Sequence, residues 1–451
     1  MSGTIYDPVL LSRLLTSLTL GFHILFATLG VGVPLLIALA EWTGIRRNDP
    51  HYLLLARRWA RGYVITVAVG VVTGTAIGLQ LSLLWPSFMR VAGQSIALPL
   101  FMETFAFFFE AIFLGIYLYT WDRFKSKTAH IWLLVPVVIG SSASALFITI
   151  VNAFMNYPVG LTMEGGTITS VHPIAAMLSP AMPTKVAHVL SSAFVTCAFV
   201  LAAIAAWSLM KGRRHIYYKK ALKLTMGCAA VFTMSTALIG DLSGKYLANY
   251  QPEKLAAMEW HFETTGHAPL LFGGVLGDDN EVKYGLTVPY ALSILAHGIP
   301  SAEVTGLNDI PKDEQPPLWT HYIFDIKMMY VAYMTLVVLL FLWYMWRGKG
   351  RLYRSRKLLA LIVVAAPVAM LAIEHGWILN EVGRQPWILR GIMRTTEGAT
   401  TSGHVDTMLI VFALLYLVLG ITTVRVLSRM FRSNRAEDEL RALGMEGGDP
   451  V

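Results

Sequence analysis

The chain has 451 residues, of which 55% are hydrophobic and 14% are charged, with a formal net charge of +8 and a mean hydropathy of +0.57. Since an ordinary soluble domain carries about 25% charged residues, this composition excludes a soluble enzyme and a disordered chain. The basic excess is better interpreted as loop charge that sets membrane topology than as a nucleic-acid surface. Cys197 and Cys228 lie in apolar runs, which excludes a disulfide framework and a thiolate metal cluster.

Nine mostly apolar runs, each of about 20 residues or more, predict nine membrane-spanning helices. In chain order they are Leu11–Ala40, Ala60–Trp85, Ala97–Thr120, Ile131–Phe154, Val186–Met210, Ala221–Leu247, His321–Trp346, Leu358–Glu381 and Val405–Leu427. Barrel strands would be about 10 residues long and strictly alternating, so a β-barrel is excluded. The predicted fold is therefore an all-α integral membrane protein, with one transmembrane domain over residues 1–432 and a charged tail over 433–451.

The loop charges predict the orientation of the bundle. Twenty-five of the 36 Lys and Arg residues follow spans 1, 3, 5, 7 and 9, all on one side. Because basic loops stay in the cytoplasm, we expect the N-terminus outside and the C-terminus inside. The sizeable connections, residues 155–185, 248–320 and 382–404, then lie outside, where function is expected to concentrate.

A few ionisable residues lie within the spans, where they are costly and functional by default. They are His23, Glu103, Glu110, His188, Glu374 and Glu381. At a rise of about 1.5 Å per residue, Glu103 is predicted about 10 Å below the outer end of its span. These groups are expected in the outer half of the bundle, and the inner half is expected to be nearly free of charge.

Buried His and Glu side chains in an apolar helical bundle suit haem iron, which accepts imidazole, thioether and carboxylate ligands. Alternatively, a histidine within a span is a hydrogen-bonded packing residue, and a glutamate is an interhelical hydrogen-bonding group or a transporter proton site.

Glu103 and Glu110 are seven residues apart and share one helical face, so the pair could pass protons. Ser141, Ser144 and Asn152 could extend a polar track, although small polar residues also serve helix packing. After Glu381, Arg384 suits an anionic group such as a haem propionate, or an interfacial anchor together with Trp387.

From about Arg13 to about Asp406 the chain resembles subunit I of the cytochrome bd-type quinol oxidases, in the short quinol-loop class that includes cyanide-insensitive enzymes. The resemblance rests on several short segments that occur in order along the chain. They are Glu110-Ala-Ile-Phe-Leu-Gly115, Asn152-Ala-Phe-Met-Asn-Tyr-Pro-Val-Gly160, Lys254-Leu-Ala-Ala-Met-Glu259, Gly376-Trp377 and Glu381-Val-Gly-Arg-Gln-Pro-Trp387.

The resemblance implies three haem groups: two haem b, one low-spin and one high-spin, and one haem d, or a haem b in its place. His188 would ligate the low-spin haem, with Met328 as its partner and Met329 as the alternative, because Lys327 stands where the family commonly has its Met. His23 and Glu381 would ligate the other two irons, in an order that the sequence leaves open. Trp377 would lie between haems, and Arg13, Arg384 and Trp387 beside them.

The resemblance also implies that Lys254 and Glu259 bind or deprotonate quinol in the outer loop 248–320. Glu103 and Glu110, with Ser141 and Ser144, would deliver protons from the inside. The implied function is a terminal quinol oxidase that reduces O₂ to water and builds a proton gradient without pumping. The expected partners are subunit II, a small single-span subunit, quinol, O₂ and lipid, in the cytoplasmic membrane of a bacterium or archaeon, with no nucleic acid.

Two other functions compete with this interpretation. A proton-coupled transporter would use Glu103, Glu110 and Glu374, but would favour broken helices and inverted repeats, and neither is evident in the sequence. A haem-b membrane anchor would need bis-His haem sites, whereas this chain offers single histidines on separate spans together with carboxylates.

Overall fold

The computed structural model describes residues 7–164, 167–278, 280–348 and 350–442. Within these ranges, nine helices are long and apolar enough to cross a membrane, which confirms the nine predicted spans. In chain order the helices are α1 Pro8–Arg47, α2 Pro50–Leu84, α3 Pro86–Tyr119, α4 Lys127–Ile131, α5 Leu134–Asn156, α6 Pro173–Met177, α7 Met182–Met210, α8 Ile216–Tyr250, α9 Pro252–Glu259, α10 Ala291–His297, α11 Thr320–Trp346, α12 Arg356–Val382, α13 Thr395–Gly398, α14 Val405–Ser433 and α15 Ala436–Ala442. The fourth span joins α4 to α5, and the other spans are α1, α2, α3, α7, α8, α11, α12 and α14.

Within the described residues, four two-stranded antiparallel sheets lie at one end of the bundle. Their strands are β1 Leu161–Glu164 with β2 Thr167–Val171, β3 Leu270–Phe272 with β6 Leu286–Val288, β4 Val275–Leu276 with β5 Val282–Lys283, and β7 Trp387–Leu389 with β8 Met393–Arg394. They lie in the connections 157–181, 251–319 and 383–404, and we call this end the large-loop face. The opposite end, with the short connections 48–49, 120–126, 211–215 and 347–355, is the basic face.

Local sequence explains why the first helices begin and end where they do. Asp7 caps α1 by accepting the Val9 backbone N–H at 2.9 Å. Asn48 ends α1 in the left-handed conformation, and Asp49 at once caps α2 through the His51 N–H at 3.0 Å. Asp and Asn satisfy the free N–H and C=O groups of helix termini. Two residues are therefore enough to reverse the chain at the basic face.

Helix α7 lies at the centre of the bundle, where it packs against α1, α5, α8 and α12. Its approach to α1 is close, because a Cβ placed on Gly32 would lie 2.5 Å from Sγ of Cys197. Small residues allow such close backbone contact in membrane bundles, where lipid gives no hydrophobic drive to association. In contrast, α14 is mostly exposed and contacts the bundle chiefly along α1 and α2.

The start of the predicted tail is helical and packs onto the basic face. Arg58 of α2 donates hydrogen bonds to the backbone O of Asn434, at 2.8 Å, and to Glu439. Ala436 and Leu440 are each 1% exposed. Residues 443–451 of the predicted tail lie outside the described residues.

Candidate functional site

A polar cluster surrounds Glu381 where α12 ends at the large-loop face. Oε1 of Glu381 accepts hydrogen bonds from Nδ2 of Asn152 at 2.7 Å and Nδ2 of Asn380 at 3.2 Å, and Oε2 accepts from Arg384 at 2.5 Å. The Glu381 side chain nevertheless stays 35% exposed. The carboxylate is thus oriented by three donors, one on α5, one on α12 and one just beyond the end of α12, while part of it remains open to a further ligand.

Two lysines converge on Asn380 from different parts of the chain. Nζ of Lys185, at the start of α7, donates to Oδ1 of Asn380 at 2.7 Å and Oδ1 of Asn152 at 3.1 Å. Nζ of Lys254, in α9, donates to the backbone O of Asn380 at 3.2 Å. Asn380 therefore connects the loop segment that bears Lys254 to the carboxylate of Glu381. Sequence reasoning missed Lys185 and Asn380, and included Asn152 only in a polar track.

Arg384 is the third basic side chain of this cluster, and it bonds directly to the Glu381 carboxylate. It is 4% exposed, and its Nε and Nη1 have no hydrogen-bond partner among the described residues. Unpaired cationic N–H groups are costly to bury. The surplus donors suit an anionic group such as a propionate, as the sequence predicted.

His23 lies between α1, α2 and α12. Its Nδ1 is 2.8 Å from Oγ1 of Thr73, and a Cβ on Gly74 would lie 3.3 Å from its ring. The Thr73 hydroxyl already donates to a carbonyl of its own helix, so it accepts from Nδ1–H and leaves Nε2 with its lone pair available. A neutral imidazole with one nitrogen anchored and the other free is the form that ligates a metal.

Glu374 reaches the same region from α12. Its Oε2 would lie 3.7 Å from a Cβ on Gly21, two residues before His23, and its Oε1 has no partner within the described ranges. Trp377 and Glu381 follow at one and two turns along α12. One face of α12 thus runs from the His23 region to the Glu381 cluster.

His188 occupies a separate region between α7, α8 and α11. Its buried Nδ1 has no hydrogen-bond partner in the described part of the chain, and its Cε1 would lie 3.8 Å from a Cβ on Gly240. On α11 the side chain whose charge acts on His188 is Lys327, whereas Met328 and Met329 are 40% and 49% exposed. The arrangement leaves both methionines as candidates for the opposite ligand.

The two glutamates of α3 make different contacts. Glu103 accepts a hydrogen bond from Oγ of Ser144 at 2.8 Å, and the buried Glu110 is bonded to the hydroxyl of Tyr63. That hydroxyl also lies 2.8 Å from the backbone O of Gly30. Because a hydroxyl has one proton, both contacts are satisfied when Glu110 donates to Tyr63 and Tyr63 donates to Gly30. Sequence reasoning did not include Tyr63.

Glu103 lies further from the start of its helix than the sequence predicted. Helix α3 begins at Pro86 rather than Ala97, which places Glu103 about 25 Å along it. Arg90 lowers the local hydropathy, but Phe88, Ala92 and Ile96 are fully buried on one face and continue the helix.

A buried ionisable pair that the sequence did not predict lies at the basic face. At the basic face Glu41 and His130 are both fully buried and form a pair of 2.9 Å through Oε1 and Nδ1. Tyr117 donates its hydroxyl to Oε2 of Glu41 at 2.6 Å and its backbone O lies 2.9 Å from Nε2 of His130. The cluster ties together α1, α3 and α4, far from the Glu381 cluster.

The remaining predicted site residues lie apart from these clusters. Arg13 is exposed near the start of α1. The hydroxyl of Ser141, 1% exposed, donates to the backbone O of Val138 in its own helix at 3.2 Å. Trp387 begins β7 and packs under the guanidinium of Arg394, 5.2 Å from the ring centroid.

In the connection between α8 and α11, burial shifts the proton affinities of two predicted quinol residues. It lowers the pKa of Lys254 to about 7 and, helped by the charge of Asp325, raises the pKa of Glu259 to about 8. Glu259 is 2% exposed, and neither carboxylate oxygen accepts a well-formed hydrogen bond from the described residues. A lysine and a glutamate that titrate near neutrality suit proton exchange with a neutral substrate.

These features fit haem groups. No three His, Cys, Asp or Glu side chains come together as a metal site within the described ranges, so an iron here would need most of its ligands from a macrocycle. The unpartnered Nδ1 of His188, the available Nε2 of His23 and the partly open carboxylate of Glu381 are single axial donors. The free N–H groups of Arg384 suit a propionate.

Comparison with known proteins gives consistent matches over nearly the whole chain. The sequence model of the cytochrome bd terminal oxidase subunit I family matches residues 11–435. A Bacillus subtilis (strain 168) protein named a cytochrome bd menaquinol oxidase subunit I is 40% identical, over 96% of this chain and 99% of its own. A second protein of that strain, named cytochrome bd ubiquinol oxidase subunit 1, is 30% identical, over 96% and 95%. Among solved structures, the bd oxidase from Geobacillus thermodenitrificans matches with a TM-score of 0.92 and 65% identity, over 96% of this chain and 100% of that one.

Proposed function

Because the chain belongs to the cytochrome bd terminal oxidase subunit I family, we propose a place in this structure for each step of the reaction that the family performs. The chain is a haem-containing, multi-pass subunit of a bacterial quinol:O₂ oxidoreductase that works with a subunit II. The transporter and the electron-passing anchor are not favoured. When bound, the haem groups supply electron transfer from quinol to O₂, and the protein supplies binding, orientation and protons.

The observation that carries the proposal is the hydrogen-bonded connection from Lys254 through Asn380 to Glu381. It joins a loop cation of the predicted quinol site to a carboxylate predicted to bind iron. Quinol would be oxidised beside Lys254 and Glu259, and His188 would hold a haem that supplies electron transfer from quinol. O₂ would be reduced near Glu381 and His23.

His188 with Met328 would hold a low-spin haem b, with Met329 as the alternative to Met328. His23 and Glu381 would hold a high-spin haem b and a haem d, or a haem b in its place. Arg384, 4% exposed and with two unpaired nitrogens, would bind a propionate. Trp377, one turn before Glu381, would lie between the haems, with Arg13 and Trp387 at the periphery.

Protons for water would arrive from the basic face. Tyr63 and Glu110 form a buried hydrogen-bonded pair, and Glu103 lies two turns further along the same face of α3, bonded to Ser144. Ser141, one turn of α5 nearer the basic face, would line the same route. From Ser144, about 12 Å along α5 leads to Asn152 and hence to Glu381.

The 25 basic residues of the basic face support a cytoplasmic position for that face. The N-terminus and the large loops would then lie outside the cytoplasmic membrane. Protons released by quinol outside, and taken up inside for water, would build a gradient without a pump. The exposed, apolar α14 offers a surface for a small single-span subunit.

The experiment is a reduced-minus-oxidised absorption spectrum of the purified complex, comparing His188→Ala with His375→Ala. His375 lies on α12, where its Nδ1 is 2.9 Å from the backbone O of Leu371 and its ring packs edge-on against Tyr330 of α11. His188→Ala should remove the low-spin haem signal, and His375→Ala should leave all bands in place. Persistence of the low-spin band in His188→Ala would exclude this ligand, and absence of all haem bands from the unchanged complex would exclude the oxidase.

A further inference from the structure

A buried histidine that no step above uses lies beside the predicted quinol residue Glu259. His321, in the first turn of α11, is fully buried, and its Nδ1 lies 2.7 Å from the backbone O of Met258. Its Nε2 lies 3.2 Å from both the backbone O of Gly273 and Oδ2 of Asp325. Since a carbonyl oxygen can only accept, Nδ1–H donates to Met258, and Nε2 faces a carbonyl oxygen and a carboxylate oxygen.

Asp325 and His321 together fix the turn at Gly273 on the large-loop face. Oδ2 of Asp325 accepts the Gly273 N–H at 2.5 Å, and the Gly273 carbonyl faces the imidazole. Gly273 has a φ of 68° and connects β3 to β4. The same imidazole fixes the end of α9 through Met258, the residue before Glu259. Three segments are therefore tied together at this pair.

Trp260 closes the other side of the imidazole. Its ring stacks on that of His321 with centroids 4.1 Å apart, and its Nε1 donates to the backbone O of Leu318 at 2.7 Å. Stacking and hydrogen bonding leave His321 one orientation, which is typical of a residue that positions others.

Among the described residues, this pair and a few other groups act electrostatically on Glu259. On α11, Asp325 faces Glu259, with His321 beside it, and the charge of Asp325 helps burial to raise the pKa of Glu259. On β3, the backbone N–H of Leu271 opposes part of that rise. On α9 itself, Lys254 is directed to Asn380 instead. Asp325 is therefore the charged side chain that most directly sets how strongly Glu259 holds a proton.

We propose that His321 and Asp325 are positioning residues for quinol oxidation: they fix the end of α9 and the turn at Gly273, so that the buried carboxylate of Glu259 is held to accept a proton from a quinol hydroxyl. In that step the quinol O–H bond breaks, its electron pair stays on the quinol oxygen, and the proton forms an O–H bond on Glu259. The electrons then leave towards the haem of the established reaction. The inference rests on the proposed role of Glu259 and adds the two residues that position it and tune its proton affinity.

The test is the pH dependence of kcat/KM for quinol in the intact complex. Since Glu259 must be ionised to accept a proton, kcat/KM rises with pH through its pKa. Asp325→Asn removes the charge but keeps an oxygen that can accept the Gly273 N–H, so the rising limb should move to lower pH by on the order of one unit. His321→Gln leaves the Asp325 charge without its counter-charge, so the limb should move to higher pH.

Asp309→Asn is the matched control, because Asp309 is an exposed carboxylate of the same connection that accepts a hydrogen bond from Thr264. Its profile should coincide with that of the unchanged enzyme. All variants are first checked for an unchanged haem spectrum, and opposite shifts in the two α11 variants support the proposal. The proposal is overturned if the α11 variants that keep the haem spectrum leave the rising limb of the pH profile in place. It is also overturned if both α11 variants lose the haem spectrum.

Glu259→Gln separates this proposal from the one on which it rests. That variant should remove the limb altogether. If the limb persists in Glu259→Gln, the role assigned to Glu259 is wrong. If it disappears there but does not move in the α11 variants, only the role of His321 and Asp325 is wrong.

Discussion

Asn152 on α5 donates a hydrogen bond of 2.7 Å from Nδ2 to Oε1 of Glu381 at the end of α12, across 229 positions of sequence. Its own Oδ1 accepts from Lys185 and from Asn380. One amide thus orients the carboxylate and fixes two of the groups around it.

Asn152→Ala should therefore disturb the iron site at Glu381. Removal of a partner that orients a metal ligand typically costs 10–100-fold in metal affinity or activity. We expect a fall of that order in O₂ consumption and an altered haem band. Asn249→Ala is the control, because Asn249 is exposed on α8 and bonds only to the backbone of Lys245. Equal spectra and rates for both variants would contradict the proposed role of Glu381.

The choice between Met328 and Met329 can be made by spectroscopy. The two side chains are 40% and 49% exposed, and they point about 100° apart around α11. We expect Met328→Leu to convert the low-spin haem to a high-spin spectrum, because leucine has no lone pair for iron, and Met329→Leu to leave it unchanged. The reverse result would assign the ligand to Met329. An unchanged spectrum in both variants would exclude both methionines as haem ligands.

Tyr63→Phe tests the proton route. Loss of the hydroxyl leaves the buried Glu110 without its partner, and an unsatisfied buried polar group costs about 1–3 kcal/mol. We expect O₂ consumption to fall by about tenfold or more while haem content stays constant. Tyr333→Phe is the control, since that hydroxyl donates to the backbone O of Leu361 on another helix at 2.9 Å. Unchanged turnover in Tyr63→Phe would exclude Tyr63 from the route.

The Glu41–His130 pair should matter for stability rather than for the haems. His130→Ala leaves a fully buried carboxylate with Tyr117 as its main partner, and breaking a buried pair typically costs about 3–5 kcal/mol. We expect a lower Tm with an unchanged haem spectrum. His297→Ala, at an exposed site, should not change the Tm. A haem band lost from His130→Ala would instead connect this cluster to the cofactors.

The sequence predicted the spans well because hydropathy is a property of single segments. Glu41 lies one residue beyond the first predicted span and His130 one residue before the fourth, so neither stood out as an ionisable group within a span. Whether two helix ends pack and exclude water depends on the tertiary arrangement, which a window of residues does not contain. The helices in fact continue to Arg47 and begin at Lys127.

The sequence pointed to candidate ligands but not to the residues that form hydrogen bonds around them. His23, His188 and Glu381 stand out because ionisable groups are rare within a span. Lys185 lies at the edge of a predicted span, where a lysine is ordinary, and Asn380 is uncharged. Their importance comes from sharing one neighbour, Glu381, which becomes visible only when α5, α7 and α12 are assembled.

Helix α7 carries Lys185, which touches the Glu381 cluster, and His188, less than one turn further on, which faces α8 and α11. Under the proposed assignment, the spacing between two cofactors is therefore set largely by the covalent geometry of a single buried helix. Electron tunnelling rates fall exponentially with distance, so a spacing carried by one rigid segment keeps the transfer rate steady while the surrounding bundle and its peripheral α14 fluctuate in the lipid.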